Sequence, residues 1–111
     1  MVEHTSPFLA VKALETHIIG TLGALDVFSL PAPECKVVQA LKNELVDTRL
    51  DIRDYELSET REEQLKKARD AKRRLEHVRA LILAASEYNV FGAADVAQLA
   101  AWVEHISENV R

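Results

Sequence analysis

Apolar residues recur every three or four positions along most of the chain, which is the spacing of one face of an α-helix. A strand would instead alternate apolar and polar residues. The clearest series, between residues 33 and 57, consists of Val38, Leu41, Leu45, Thr48, Ile52 and Tyr55. The pattern therefore predicts an all-α protein.

Helix start signals divide the chain into four helices, at about residues 7–28, 33–57, 61–88 and 93–109. Pro31 and Pro33 mark the start of the second helix, because proline is tolerated in a first turn but not in a helix interior. Thr60 and Glu63 have the spacing of a capping box at the start of the third. Short connections favour antiparallel neighbours, so we expect one domain over residues 1–111, an up-down-up-down antiparallel four-helix bundle.

Charge is distributed unevenly along a chain whose formal net charge is −4. Residues 61–79, in the third helix, contain eight Lys or Arg against four Asp or Glu, a local balance of +4. The remainder of the chain is acidic, so positive potential is concentrated on half of one helix.

Two interpretations of this basic segment remain open. It is either an ordinary solvated face or a patch for nucleic-acid phosphate or an acidic partner. Pairs of opposite charge four residues apart, worth about 0.2–0.5 kcal/mol each, favour the solvated face: Glu62–Lys66, Glu63–Lys67 and Asp70–Arg74. Cations with weaker local partners favour the binding patch: Arg69, Lys72, Arg73 and Arg79.

Catalytic and cofactor motifs are missing from the sequence. There is no Gly-x-Ser-x-Gly, no phosphate-binding loop, and no histidine three residues after a glutamate as di-iron bundles require. Cys35 is the only cysteine, and its role is left open. We therefore expect no enzyme, no catalytic residue, no metal site and no cofactor.

The longest apolar run, residues 80–85, is far below the roughly 20 residues that cross a bilayer. No secretory signal pattern is present, and a lone cysteine cannot form an internal disulfide. These features predict a cytoplasmic protein with no membrane span.

Surplus apolar surface on the third and fourth helices predicts self-association, because small side chains permit close contact between helices. Trp102 lies at the edge of the apolar stripe of its helix. Two interpretations of it remain open: it packs in the core, or it anchors a partner. The predicted interface residues are Ala80, Leu83, Ala84, Ala97, Ala101 and Trp102.

Three segments, "VFSLPAPE", "LKKARDAKRRLEHVRALILAASEY" and "VAQLAAWVEHISENV", occur in an order that resembles a known family. It is the four-helix-bundle family that includes the accessory variability determinant proteins of diversity-generating retroelements. The resemblance covers residues 14–110. Its most telling positions are Leu65, Ala68, Leu75, Val78, Arg79, Leu81, Ile82 and Ala85.

The resemblance implies a ring-like homo-oligomer, a pentamer in that family, that binds RNA or DNA and a reverse transcriptase during mutagenic retrohoming. It assigns nucleic-acid contact to the basic positions of the third helix: Lys66, Lys67, Arg69, Lys72, Arg73, Arg74 and Arg79. The alternative is a protein-only adaptor or structural oligomer that binds no nucleic acid.

Overall fold

The computed structural model describes residues 6–22 and 30–111, and these contain four helices and no strand. The helices are α1 (Pro7–Leu22), α2 (Ala32–Glu56), α3 (Arg61–Glu87) and α4 (Ala93–Asn109). The all-α prediction is confirmed, and the bounds expected for the last three helices are right to within one residue. The first helix begins where expected, whereas its expected continuation over 23–28 lies outside the described residues.

Local signals account for the helix starts. Pro33 lies in the first turn of α2, where Glu34 also complements the positive end of the helix. The Thr60 hydroxyl accepts a 3.1 Å hydrogen bond from the backbone N–H of Glu63 at the start of α3. Among the described residues, the return bond from the Glu63 carboxylate to the Thr60 amide is not formed, so only half of the expected capping box is present.

The core lies where the apolar periodicity predicts. All six positions of the expected stripe on α2 are buried, and α3 contributes Ala68, Ala71, Leu75, Val78, Ile82 and Ala85. Consecutive helices pack on one another, most extensively α2 on α3, and α1 also packs on α4. The first half of the α3 stripe consists of the small side chains Ala68 and Ala71, and the second half of larger ones except for Ala85.

Polar contacts join the helix ends. The Tyr55 hydroxyl donates to the Arg111 carbonyl oxygen at 2.7 Å and accepts from the Arg111 amide at 2.9 Å. The amide of Phe8 donates to the Glu56 carboxylate at 3.1 Å. These bonds connect the end of α2 to the start of α1 and to the residues after α4.

Among the helices of the described residues, none is both long enough and apolar enough to cross a bilayer.

Leu75 and Leu65 provide a matched pair of positions on α3, because Leu75 is 1% exposed and Leu65 is 45% exposed. We expect Leu75→Ala to lower the free energy of unfolding by about 2–5 kcal/mol, through lost burial and the cavity left behind. Leu65→Ala should change it by about 0.5 kcal/mol or less. Urea denaturation followed by circular dichroism measures both, and equal effects would contradict this placement of the core.

Candidate nucleic-acid interface

The rotation of α3 about its axis decides which of its cations face solvent. At 100° per residue, the buried stripe leaves an outer face and two borders, one beside α2 and one beside α4. Lys67 and Arg74 are half-buried. Five of the seven predicted nucleic-acid contacts are exposed: Lys66, Arg69, Lys72, Arg73 and Arg79. We call these five the α3 cation face.

Arg74 is bound by carboxylates of α2. Its Nε donates to Asp51 Oδ2, and its Nη1 lies 3.2 Å from Glu44 Oε1 and 3.5 Å from Asp47 Oδ2. The three acids occur at steps of three and four on α2, beside the buried stripe, so they form one row facing α3. The charge of Arg74 is therefore balanced inside the molecule.

The hydrogen bond to Asp51, together with the charges of Asp51, Glu44 and Asp47, holds the pKa of the Arg74 guanidinium above its usual value, although partial burial acts in the opposite direction. Arginine is already charged throughout the physiological range. The shift therefore shows how strongly this site favours a cation.

Glu44 also contacts a second group on α3. Its other oxygen, Oε2, lies 3.1 Å from His77 Nδ1. Beside this contact, α2 and α3 border an open cleft of about 390 Å³ that Asp70 and Arg73 also line. The α2 border of α3 is thus a mixed-charge network rather than a cationic surface.

The α3 cation face has no such partners. No carboxylate oxygen of the described residues lies within 4.0 Å of a charged nitrogen of its five members. The expected pairs Glu62–Lys66, Glu63–Lys67 and Asp70–Arg74 are also not formed at that distance. Ion pairs within α3 therefore do not neutralise the five cations of this face.

Acidic side chains of α4 lie on the other side of this face. Lys72 and Arg79 share a shallow groove of about 260 Å³ with Glu104 and Glu108. These carboxylates moderate the positive potential at the α4 border. The outward strip formed by Lys66, Arg69 and Arg73 also has acidic neighbours, because Glu62 and Glu63 line a groove with Lys66 and Arg69, and Asp70 lines the α2 cleft with Arg73. None of these carboxylates lies within 4.0 Å of a charged nitrogen of the strip.

The predicted interface residues lie mainly on exposed parts of α3 and α4. Leu83 is 47% exposed, whereas Ala84 and Trp102 are half-buried. Ala80, Ala97 and Ala101 are exposed. The Trp102 ring lies 5.6 Å from the His17 ring, between centroids, in an open groove with Leu9. The contribution of α1 to this groove was not predicted from the sequence.

The described residues hold no cluster of three or more His, Cys, Asp or Glu side chains arranged to bind a metal. Cys35 is half-buried and carries no disulfide. Neither observation adds a chemical role to the surface of α3.

No protein-family model matches this sequence, and neither a curated protein nor a solved structure matches it. What the chain does must therefore be inferred from its own residues.

Arg73 and Arg74 are adjacent in sequence but differ in surroundings. We expect Arg74→Met to lower the free energy of unfolding by about 1–2 kcal/mol, because three carboxylates would then face one another without their cation. Arg73→Met, which removes an exposed arginine, should change it by about 0.5 kcal/mol or less. Chemical denaturation in low salt measures the difference. In about 1 M salt the cost of Arg74→Met should shrink because the charges are screened, and a cost unchanged by salt would contradict an electrostatic role.

Proposed function

We propose that this chain is a non-catalytic, oligomeric accessory protein that binds RNA or DNA and a reverse transcriptase, as in the retroelement family it resembles. The observation that carries the proposal is the α3 cation face, whose five exposed side chains have no carboxylate of the described residues within 4.0 Å. Exposed cations of this kind bind phosphate without sequence preference.

The dimensions of the cation face suit a nucleic-acid strand. From Lys66 to Arg79 the helix axis advances about 20 Å, at 1.5 Å per residue. A duplex presents a phosphate charge about every 1.7 Å of its axis, so several phosphates lie within that length. We propose that Arg69 and Arg73, about one turn apart on the outer strip, contact neighbouring phosphates.

Oligomer formation multiplies the local phosphate contacts of a chain whose net charge of −4 is itself unfavourable for binding nucleic acid. A single acidic protomer repels nucleic acid at long range, whereas a ring of protomers repeats the cation face around one strand, and phosphate contacts add up. We propose that Leu83 and the exposed alanines of α3 and α4 make the contacts between protomers. The resemblance implies five protomers.

Within each protomer we propose the up-down-up-down arrangement. Contacts across α1 and α2 support it, because Phe8 near the start of α1 meets Glu56 at the end of α2, and Glu15 further along α1 lies 3.2 Å from Arg49. The loop of four residues between α2 and α3 favours antiparallel packing there as well.

A protein-only adaptor is the second candidate. Glu104 and Glu108 beside Lys72 and Arg79 favour it, because a surface of alternating charge fits a protein partner better than a polyanion. A chain that co-purifies with a reverse transcriptase and RNA supports the first function. A chain that co-purifies only with other proteins, and does not shift RNA, supports the second.

Replacing both arginines of the outer strip, Arg69→Gln/Arg73→Gln, should weaken binding to a single-stranded oligonucleotide about tenfold or more in low salt. The slope of log K against log salt should become less steep by about 1.4 per engaged protomer, since two phosphate contacts with a single strand are lost. Fluorescence anisotropy over a salt series measures both quantities.

The matched control is Lys12→Gln/Lys36→Gln, which removes the same charge from exposed positions on α1 and α2. It should leave the salt slope unchanged. If both double variants lose the same affinity, binding depends on net charge alone and the cation face is not the contact surface.

If protomers associate through α3 and α4, Leu83→Glu should lower the mass of the native assembly, because the substitution would bury a charge at the contact between protomers. Leu65→Glu is the control, since Leu65 lies five helical turns away on the same side of α3 with similar exposure, 45% against 47%. Light scattering measures both masses. An unchanged mass for Leu83→Glu would exclude this contact.

A further inference from the structure

The outward face of α2 carries apolar side chains that are not buried in the core. Val46 and Leu50 of α2, and Leu57 directly after its last residue, are 40%, 49% and 67% exposed, although α2 buries its core stripe against α1 and α3. Exposed leucines on one helix face, at regular spacing, are typical of a surface that packs against another helix.

The spacing of this face is that of a coiled coil. Its positions follow steps of three and four, so they occupy the a and d positions of successive heptads: Asn43 (a), Val46 (d), Leu50 (a), Arg53 (d) and Leu57 (a). In the same frame every buried residue of the α2 stripe falls at c or f, on the opposite side of the helix. The heptad face is therefore separate from the core. We call it the α2 seam.

Charges beside the α2 seam are most complementary in a parallel orientation. The e positions hold Asp47 and Asp54, and the g positions hold Lys42, Arg49 and Glu56. In a parallel pair, a g residue meets the e residue five positions later on the other helix, which gives Lys42–Asp47 and Arg49–Asp54 contacts between copies. An antiparallel pair would place the e-position acids Asp47 and Asp54 against each other, and only the Lys42–Glu56 contact between g positions would be attractive.

Asn43 supplies a further restriction. A single asparagine at an a position favours two helices in one register, because only then do the two amides hydrogen-bond to each other. In an in-register parallel pair, Asn43 faces its own copy. The flanking e and g charges and the asparagine thus favour the same arrangement. In it Arg53, at a d position, also faces its own copy and must direct its charged end to solvent.

The contacts that Asp47 and Arg49 already make are compatible with this pairing. Arg49 Nη1 lies 3.2 Å from Glu15, but the side chain is 31% exposed and a guanidinium has five donors. Asp47 lies 3.5 Å from Arg74 and its side chain is 53% exposed. Both charges therefore still have groups available toward solvent.

We propose that a second copy of this chain docks on the α2 seam, with the two α2 helices parallel and related by a twofold axis. Each α2 is already ordered by its own bundle, so the pair does not have to form helix on association, as an isolated short coiled coil must. This contact differs from the one proposed for α3 and α4, and it does not depend on nucleic-acid binding.

The first test compares Leu50→Glu with Leu83→Glu, two leucines of nearly equal exposure, 49% and 47%, on different helices. Sedimentation equilibrium should give a two-protomer species for Leu83→Glu. Leu50→Glu should weaken pairing through α2 at least tenfold, because it places two glutamates in contact across the twofold axis. Melting curves establish that both variants are folded. A parent protein that sediments as single protomers, or equal masses for parent and Leu50→Glu, overturns the proposal.

Charge exchange tests the orientation. Lys42→Glu should weaken pairing about fivefold, since two attractive contacts become repulsive, and adding Asp47→Lys should restore it. A double variant that pairs no better than Lys42→Glu alone would mean that these charges do not meet.

Cross-linking tests the register. In a Cys35→Ser background, Asn43→Cys should form a disulfide-linked dimer under mild oxidation, because in-register a positions bring the two thiols together. Lys12→Cys, exposed on α1, is the control and should not cross-link at the same rate. Faster cross-linking of Lys12→Cys than of Asn43→Cys overturns the proposed face.

Discussion

Burial of the apolar stripes of α2 and α3 against each other fixes the rotation of both helices, and the character of the other surfaces follows from that rotation. With Leu45 and Leu75 buried, Arg74 is directed to the carboxylates of α2 and Arg73 to solvent. The same packing turns Leu50 outward. One apolar contact therefore determines which charges are balanced internally and which remain available to partners.

Much of the fold was predictable because its signals are local. Proline at the start of α2, the Thr60 cap and the periodic apolar stripes each depend on residues within a few turns. The partners of Arg74 were not predictable in this way. Local spacing suggested Asp70, whereas the structure uses Asp51, Glu44 and Asp47, and that choice depends on how α2 and α3 are offset along their axes.

The α2 seam illustrates a different limit. Its spacing is present in the sequence, but Asn43 and Arg53 interrupt the apolar pattern, and the stronger core stripe of the same helix dominates any periodicity measure. Only the packing of α2 against α1 and α3 leaves Val46, Leu50 and Leu57 uncovered, and that packing is not local in sequence. The candidate nucleic-acid site was likewise predicted as seven cations, of which the structure leaves five exposed.

Amide chemical shifts of ¹⁵N-labelled protein, followed while a single-stranded oligoribonucleotide is added in low salt, test most directly whether α3 presents the contact surface. We predict the largest changes at positions between Lys66 and Arg79, and small changes at the amides of α1 and α2. Unchanged spectra, or changes confined to α1 and α2, would contradict the proposed role of α3.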